Sequence, residues 1–160
     1  MNRPFVSETF DLPKVLETAD FRLRMLTVND VVKDYDAVMT SADHLQGLFG
    51  AKSKWPSGLT LEQNLIDLGW HQKEFQKRSS FAYTVISLDE ITCLGCVYIY
   101  PPATEAFEAE VRLWVRASEA ENGLEQKLFQ AVRQWLEDVW PFTVVAYPGR
   151  DEVTGRRNDK

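Results

Sequence analysis

The run Ala109-Glu-Val-Arg-Leu-Trp-Val115 decides the fold, because apolar and polar residues alternate along its first half with the period of a β-strand. It predicts a strand over 110–116, followed by a helix over about 123–139 and a last strand over 143–147. Pro141 separates the helix from the last strand, because proline cannot continue a helix. A strand–helix–strand unit of this kind forms a right-handed crossover, so we expect the two strands to be parallel.

The elements before this unit complete a mixed order of strands and helices. A short strand at 21–25 precedes a helix at 28–39, and a second helix follows at 61–78. Two strands at 81–88 and 93–100 then form a hairpin. The order β-α-α-β-β-β-α-β predicts an α/β (α+β) fold, in which one mixed sheet carries helices on both faces.

The second predicted helix has an apolar stripe at helical spacing. Leu61, Leu65, Leu68 and Phe75 fall on one face, which we expect to pack on the sheet. His71 lies away from this stripe, so we expect it at the surface or at its boundary.

Length, composition and charge describe an ordinary globular domain. The chain has 160 residues, 44% hydrophobic and 26% charged, with a net charge of −6. We interpret 1–19 as an N-terminal arm, 20–150 as one domain and 151–160 as a polar, solvated tail. The negative charge argues against nucleic acid, and no apolar run is long enough to span a bilayer. We therefore expect a cytoplasmic protein that binds neither nucleic acid nor membrane.

Cys93 and Cys96 form a CxxC pattern inside a predicted strand. A redox-active CxxC needs a helix N-terminus, so we interpret the pair as small buried residues. His44 and His71 are distant in sequence and no second cysteine pair exists, so we expect no metal site.

The order and lengths of the elements resemble the GNAT N-acetyltransferase fold over about residues 20–148. The run 109–115 is similar to the family's fourth strand, and Trp140-Pro-Phe-Thr-Val-Val-Ala146 resembles the approach to its fifth. The resemblance implies transfer of an acetyl group from acetyl-CoA to an amine within a ternary complex. The family's last helix and two strands have no counterpart before Lys160, so we expect a partner copy in a homodimer to cover the open sheet edge.

The resemblance also assigns residues to acetyl-CoA. In the family the fourth strand offers main-chain groups to the pantetheine arm, and the next loop wraps the pyrophosphate at a helix start. Free N–H groups at a helix start favour negative charge. Carried over to this chain, the expected cofactor-binding residues are Leu113, Trp114, Val115, Ala117, Asn122, Gly123 and Leu124.

The pyrophosphate loop departs from the family pattern Arg/Gln-x-x-Gly-x-Gly/Ala. Glu121 stands where the first glycine belongs and none of residues 117–120 is Arg or Gln, so only Gly123 is retained. Each carboxylate near the helix start opposes a phosphate by very roughly 1 kcal/mol at an exposed site. An alternative local structure is a capping box from Ser118 to Glu121, which would start the helix early and close the anion site.

Two residues are candidates for proton transfer. Glu110 resembles the general base of the histone-acetylating branch, which takes a proton from the substrate amine; alternatively it pairs with Arg112 or Arg22. Tyr147, at the end of the last strand, is a candidate to protonate the leaving thiolate; alternatively it is a packing residue.

The irregular segment 41–60 carries two aromatic residues, Phe49 and Trp55. In GNAT proteins the first two helices and their connection shape the acceptor site, so the resemblance implies that both line a substrate slot. Alternatively they cover the core.

Two functions follow from the sequence. The first is an acyl-CoA-dependent N-acetyltransferase whose acceptor is a small-molecule or peptide amine. The second is a GNAT-like fold without catalysis, acting as a ligand-binding or protein-interaction module, which the acidic loop favours. Aminoglycosides, polyamines, other small amines and protein N-termini all fit the first function.

Overall fold

One six-stranded sheet organises the protein, and its strands lie in chain order. The computed structural model describes residues 4–150, so the predicted polar tail 151–160 lies outside the described residues. Neighbouring strands are antiparallel except for the last pair, which is parallel as the crossover rule predicts. The strands are β1 Val15–Glu17, β2 Arg22–Met25, β3 Phe81–Ile86, β4 Cys93–Tyr100, β5 Ala109–Val115 and β6 Val145–Ala146.

Helices cover both faces of this sheet, which confirms the predicted fold class. A 3-10 turn at Val28–Asp30 leads into the first helix, and Thr27 caps it by accepting a hydrogen bond from the Asn29 N–H. The helices are α1 Val31–Met39, α2 Ala42–Leu45, α3 Leu61–Gln76, α4 Ala117–Ala120 and α5 Leu124–Asp138. Helices α1 and α3 pack on one face and α5 on the other.

The two faces of β5 belong to different hydrophobic clusters. Val111, Leu113 and Val115 pack against the buried stripe of α5, as the alternation of the sequence predicts. Trp114 points to the opposite face and packs in the cluster beneath α1 and α3. Alternate residues of a strand point to opposite faces, so β5 serves both layers.

The predicted stripe of α3 is confirmed at Leu68 and Phe75 and is wrong at Leu61 and Leu65. Leu61 and Leu65 are 47% and 42% exposed, whereas Asn64, Leu68 and Phe75 are buried. Asn64 faces inward because its side-chain amide donates to a buried carboxylate on α1. A polar partner across the interface therefore sets the orientation of this helix.

Strand β1 was not predicted. It lies within the segment that we interpreted as an arm, and it pairs antiparallel with β2. Three residues are too few to show a period in sequence, and pairing with an existing edge is what makes such a strand stable. Val6 of the same segment is also buried in the core on the α5 side.

The cysteines are core residues. Cys93 and Cys96 are buried free thiols, and burial raises the pKa of Cys93 to about 12. Thiols of this kind are not reactive nucleophiles. Within residues 4–150, no helix is long and apolar enough to cross a bilayer.

Candidate functional site

Strand β5 loses its parallel partner after its second residue. Only Ala109 and Glu110 pair with β6, while β5 continues to Val115. Beyond that point a cleft of about 340 Å³ opens beside the strand, with Leu113, Glu125 and Arg150 among its lining residues. The cleft exists because β6 is only two residues long and the chain then turns at Pro148.

The N-terminus of α5 opens onto this region without a side-chain cap. Gly123 occupies the N-cap position in the left-handed conformation, with φ of 80°, and has no side chain to bond the first amides. The first N–H groups of a helix have no intrahelical acceptor, so α5 offers donors and the positive end of its dipole.

The loop before α5 winds into one helical turn, α4, and then breaks. Ser118 does not cap it, so the alternative of a capping box from Ser118 to Glu121 does not form. The loop nevertheless starts a helical turn early, at Ala117, with Arg116 at its N-cap and no side-chain bond. Two hydrogen bonds fix this start. The Ala117 N–H donates to Ser41 Oγ at 2.8 Å, and the Arg116 N–H to the Leu94 carbonyl at 2.8 Å. The left-handed Gly123 then separates α4 from α5, so α5 keeps its own N-terminus.

Arg150 occupies the cleft, a position that the sequence did not indicate. It is the last residue of the segment 20–150 that we interpreted as the domain. Its guanidinium donates to Glu125 Oε2 at 2.6 Å and to the Leu113 carbonyl at 2.8 Å. It also lies 5.9 Å from the centre of the Phe129 ring. The arginine therefore pairs with the carboxylate in the first turn of α5 and bridges it to the open edge of β5.

Of the seven expected cofactor-binding residues, Leu113 lines this cleft and the other six do not. The Leu113 carbonyl points to the open edge, and Val115 has the same orientation, because main-chain groups two residues apart point alike in a strand. Trp114 is turned away, and its indole N–H donates to the Tyr98 hydroxyl at 3.0 Å. Asn122 donates to the Ser118 carbonyl, and Leu124 is buried at the first residue of α5.

Glu110 and Tyr147 line a second cavity, of about 230 Å³. Glu110 Oε2 accepts a hydrogen bond from Arg112 Nε at 3.0 Å, so the expected alternative of an ion pair with Arg112 exists. Arg112 is itself held by the Leu48 carbonyl at 2.9 Å. Tyr147 packs edge-on against Phe129, with ring centres 5.3 Å apart, and burial raises the pKa of its phenol.

Phe49 and Trp55 line a third cavity, of about 270 Å³, between α1, α3 and β4. We call it the aromatic cavity. The two rings meet edge-on, 5.2 Å apart, and Phe49 also contacts the Tyr98 ring at 5.3 Å. Trp55 lies 6.3 Å from Trp114. The expected substrate-slot residues therefore both cover the core and border an open volume.

The aromatic cavity also holds polar residues that sequence reasoning missed. Asp34 is 4% exposed, and its Oδ2 accepts from Asn64 Nδ2 at 2.9 Å. Burial, with smaller contributions from the charges of Asp30 and Asp67, raises the pKa of Asp34 to about 6, although the hydrogen bond from Asn64 lowers it. A signal was present in the sequence, because Asp34 lies at helical spacing within the apolar residues of α1.

His71 lines the same cavity and is half-buried, so it lies at the boundary, the second of the two positions that we expected. Asn64 lies one turn before Leu68 and two turns before His71, so the three residues share the face of α3 that Asn64 turns inward. Burial lowers the pKa of His71, and its Nδ1 is buried without a hydrogen-bond partner among the described residues.

Comparison with known proteins identifies the architecture. No protein-family model and no curated protein matches the sequence. The structure is similar to a ribosomal-protein-S5-alanine acetyltransferase from Vibrio fischeri, with a TM-score of 0.69, 13% identity and coverage of 89% of this chain and 79% of that chain. It is also similar to an acetyltransferase from Salmonella typhimurium described as modifying the N-terminal serine of ribosomal protein L7/L12, with a TM-score of 0.66, 13% identity and coverage of 91% and 83%.

A third similar structure is a complex with coenzyme A. It is RimL, described as a ribosomal L7/L12 α-N-protein acetyltransferase, with a TM-score of 0.62, 15% identity and coverage of 77% of this chain and 67% of that chain. At these identities the likeness establishes the fold.

Proposed function

Because the chain has the GNAT fold, we propose that it is an acyl-CoA-dependent N-acetyltransferase that acts through a direct ternary complex. The observation that carries the proposal is the cleft in which the unpaired edge of β5 meets the uncapped N-terminus of α5. An unpaired strand edge offers hydrogen bonds to an extended chain, and a helix N-terminus offers them to an anion. Coenzyme A combines both features, and similar structures bind it.

The residues present fit acetyl-CoA in two places. The main-chain groups of Leu113 and Val115 would hold the pantetheine arm, and Gly123 and Leu124 would hold the pyrophosphate. Arg150 supplies a cation beside the first turn of α5, where it pairs with Glu125. When bound, acetyl-CoA supplies the activated thioester; the protein supplies position and charge.

Glu110 is the proposed acceptor for the amine proton. Its Oε2 is held by Arg112, so the other oxygen would take the proton, directly or through water. The Val115 N–H would polarise the thioester carbonyl from the open edge of β5. Tyr147 is the proposed donor to the leaving thiolate, because its raised pKa keeps the phenol protonated near neutral pH.

The first acceptors to test are peptide amines. Two of the similar proteins are described as modifying an alanine or an N-terminal serine of ribosomal proteins. Peptides with these N-terminal residues, together with small amines, form a direct panel. Transfer is measured by the mass of the acylated product, which does not depend on thiol reagents.

Binding of acetyl-CoA to the native state is the decisive measurement. A ligand at about 100 times its Kd stabilises a protein by about 2.7 kcal/mol, so millimolar acetyl-CoA should raise the Tm clearly. Pantetheine, which lacks the pyrophosphate, is the matched control and should act more weakly. An unchanged Tm with acetyl-CoA would refute the transferase and leave the alternative, a ligand-binding or interaction module.

Location and assembly belong to the same proposal. We infer a cytoplasmic enzyme, since Cys93 and Cys96 remain free thiols, as in a reducing compartment. We also infer a homodimer across the short edge strand β6, because an open sheet edge invites pairing. Sedimentation of a strictly monomeric species at high concentration would contradict the dimer.

A further inference from the structure

We propose that the aromatic cavity binds a small primary alkylammonium ion, with Asp34 as its counter-charge and aromatic rings as its walls. This rests on the proposed function in one respect, since it names the acceptor class as a small aliphatic amine. The binding itself requires no acetyl-CoA.

The charge of Asp34 lacks an internal counter-ion. Asp30 and Asp34 are equally buried on the same segment, at 4% exposure each. Asp30 is paired with the Arg24 guanidinium at 2.9 Å, whereas the side chain bonded to Asp34 is the neutral amide of Asn64. A buried carboxylate is expensive unless a cation accompanies it.

The remaining charges around the cavity strengthen this argument. Among its described lining residues, Asp34 and Asp67 are acidic and none is lysine or arginine. Asp30, which is paired with Arg24 and lies outside the lining, also raises the pKa of Asp34. The cavity therefore attracts a cation and repels an anion.

The walls have the surface that an ammonium ion prefers. Tyr98 and Tyr100 lie parallel, with ring centres 5.8 Å apart and an interplanar angle of 3°. Phe49 stands edge-on to Tyr98, and Trp70 is 54% exposed at the mouth. Aromatic faces attract cations, and desolvation strengthens this attraction.

Hydrogen bonding selects a primary ammonium among cations. An alkylammonium has three N–H donors and no acceptor. The Asp34 carboxylate is a charged acceptor, and the side-chain carbonyl of Asn64 remains an acceptor because its amide nitrogen is used on Asp34. A volume of about 270 Å³ lies at the small end of ligand sites, which suits a short aliphatic chain.

The position of the cavity connects it to the proposed chemistry. Tyr100 on its wall is the direct cross-strand partner of Glu110, and Tyr98 is the partner of Arg112. Directly opposed residues have Cβ atoms about 5 Å apart on the same sheet face. An amine that extends from the cavity along this face therefore approaches the proposed proton acceptor.

The test uses n-butylammonium, with 1-butanol as its neutral analogue of the same shape. Titration calorimetry at about pH 8 should show saturable binding of the cation with a Kd on the order of 1 mM. Butanol should bind at least about tenfold more weakly. The Asp34→Asn variant should bind the cation at least about tenfold more weakly than wild type.

One further variant serves as a control, and another tests the aromatic wall. Asp36→Asn removes an exposed carboxylate from the same helix and should keep the wild-type affinity within about twofold. Trp55→Leu removes a ring from the wall but keeps an apolar side chain. It should therefore weaken the binding of butylammonium and leave the binding of butanol unchanged. Equal binding of butanol and butylammonium, or full affinity in Asp34→Asn, would overturn the inference.

The two proposals fail separately. If acetyl-CoA raises the Tm but no ammonium ion binds up to the order of 10 mM, the cavity inference fails and the transferase stands. If butylammonium binds through Asp34 but acetyl-CoA does not bind, the transferase fails and the cation site stands.

Discussion

In the ligand-free protein, Asp34→Asn should raise the free energy of unfolding at about pH 8, although it removes a buried hydrogen-bonded side chain. Burial raises the pKa of Asp34 from 3.8 to about 6. One pKa unit corresponds to about 1.4 kcal/mol, so the ionised carboxylate destabilises the native state by about 3 kcal/mol. Asparagine keeps an acceptor for the Asn64 amide and carries no charge, so it should recover 1–3 kcal/mol, roughly.

The pH dependence gives a second signature. Between about pH 4 and pH 6 the native state holds a proton on Asp34 that the unfolded chain releases, so this residue makes stability fall as pH rises through that window. Above about pH 6 its full destabilisation is present. The difference between wild type and Asp34→Asn should therefore vanish near pH 4 and reach its maximum near pH 8.

The neighbouring titratable groups do not imitate this signature. Burial raises the pKa values of the nearest thiols and phenol, so they stay neutral over this range; these are Cys93, Cys96 and Tyr98. His71 has a lowered pKa and contributes stability that is lost as pH falls, the opposite sign. The remaining charges that act on Asp34 are those of Asp30, which is paired with Arg24, and Asp67.

Urea unfolding followed by circular dichroism measures both effects, with Asp36→Asn as the matched control. The control carboxylate is 61% exposed and should change stability by less than about 1 kcal/mol at either pH. An Asp34→Asn protein that is less stable than wild type at about pH 8 would refute the reasoning. So would a gain of the same size at both pH values.

Three further substitutions test the cleft and the chemistry. Glu125→Gln should increase the affinity for acetyl-CoA by roughly threefold to tenfold, because it removes a like charge from the first turn of α5. Glu137→Gln, in the last turn, is the control and should leave this affinity unchanged. Titration calorimetry measures both. Glu110→Gln should lower kcat by about 100-fold or more with little change in acetyl-CoA affinity, and a retained kcat would exclude the base. Gly123→Ala should cost about 1 kcal/mol in urea unfolding, because only its left-handed φ opposes a Cβ, whereas Gly95→Ala should cost far more because its Cβ would collide with the Trp114 carbonyl.

The sequence could predict the fold wherever the determinants are local. The strand at 93–100 and the helix that became α5 have strong periodicity, and their predicted bounds agree with the structure to within a residue or two. Strand β1 could not be predicted, because its stability comes from pairing with β2 rather than from its own sequence pattern. The burial of Leu61 and Leu65 was predicted wrongly for a similar reason. Their spacing is that of a core stripe, but the bond between Asn64 and Asp34 orients the helix differently.

In the candidate site, too, some features could be predicted from the sequence and others could not. The open edge of β5 and the single glycine before α5 could be located from the resemblance, because both are features of one segment. The aromatic cavity could be anticipated only at Phe49 and Trp55. Two of its polar residues, Asp34 on α1 and Asn64 on α3, bond to each other. The sequence marks Asp34 as a polar residue at helical spacing among apolar ones, but it does not show which residue of another helix is its partner.

The damaged pyrophosphate loop is the clearest case in which local reading misleads. Read along the chain, Glu125 is a charge that opposes phosphate at a helix start, and no cation precedes it in the motif. In space, Arg150 arrives from beyond β6 and places its guanidinium 2.6 Å from that carboxylate. The pair is close to neutral, so Glu125 opposes a phosphate less than its place in the sequence suggests, and the first amides of α5 have no side-chain cap. We therefore expect that loss of the motif residue does not by itself remove the proposed anion site.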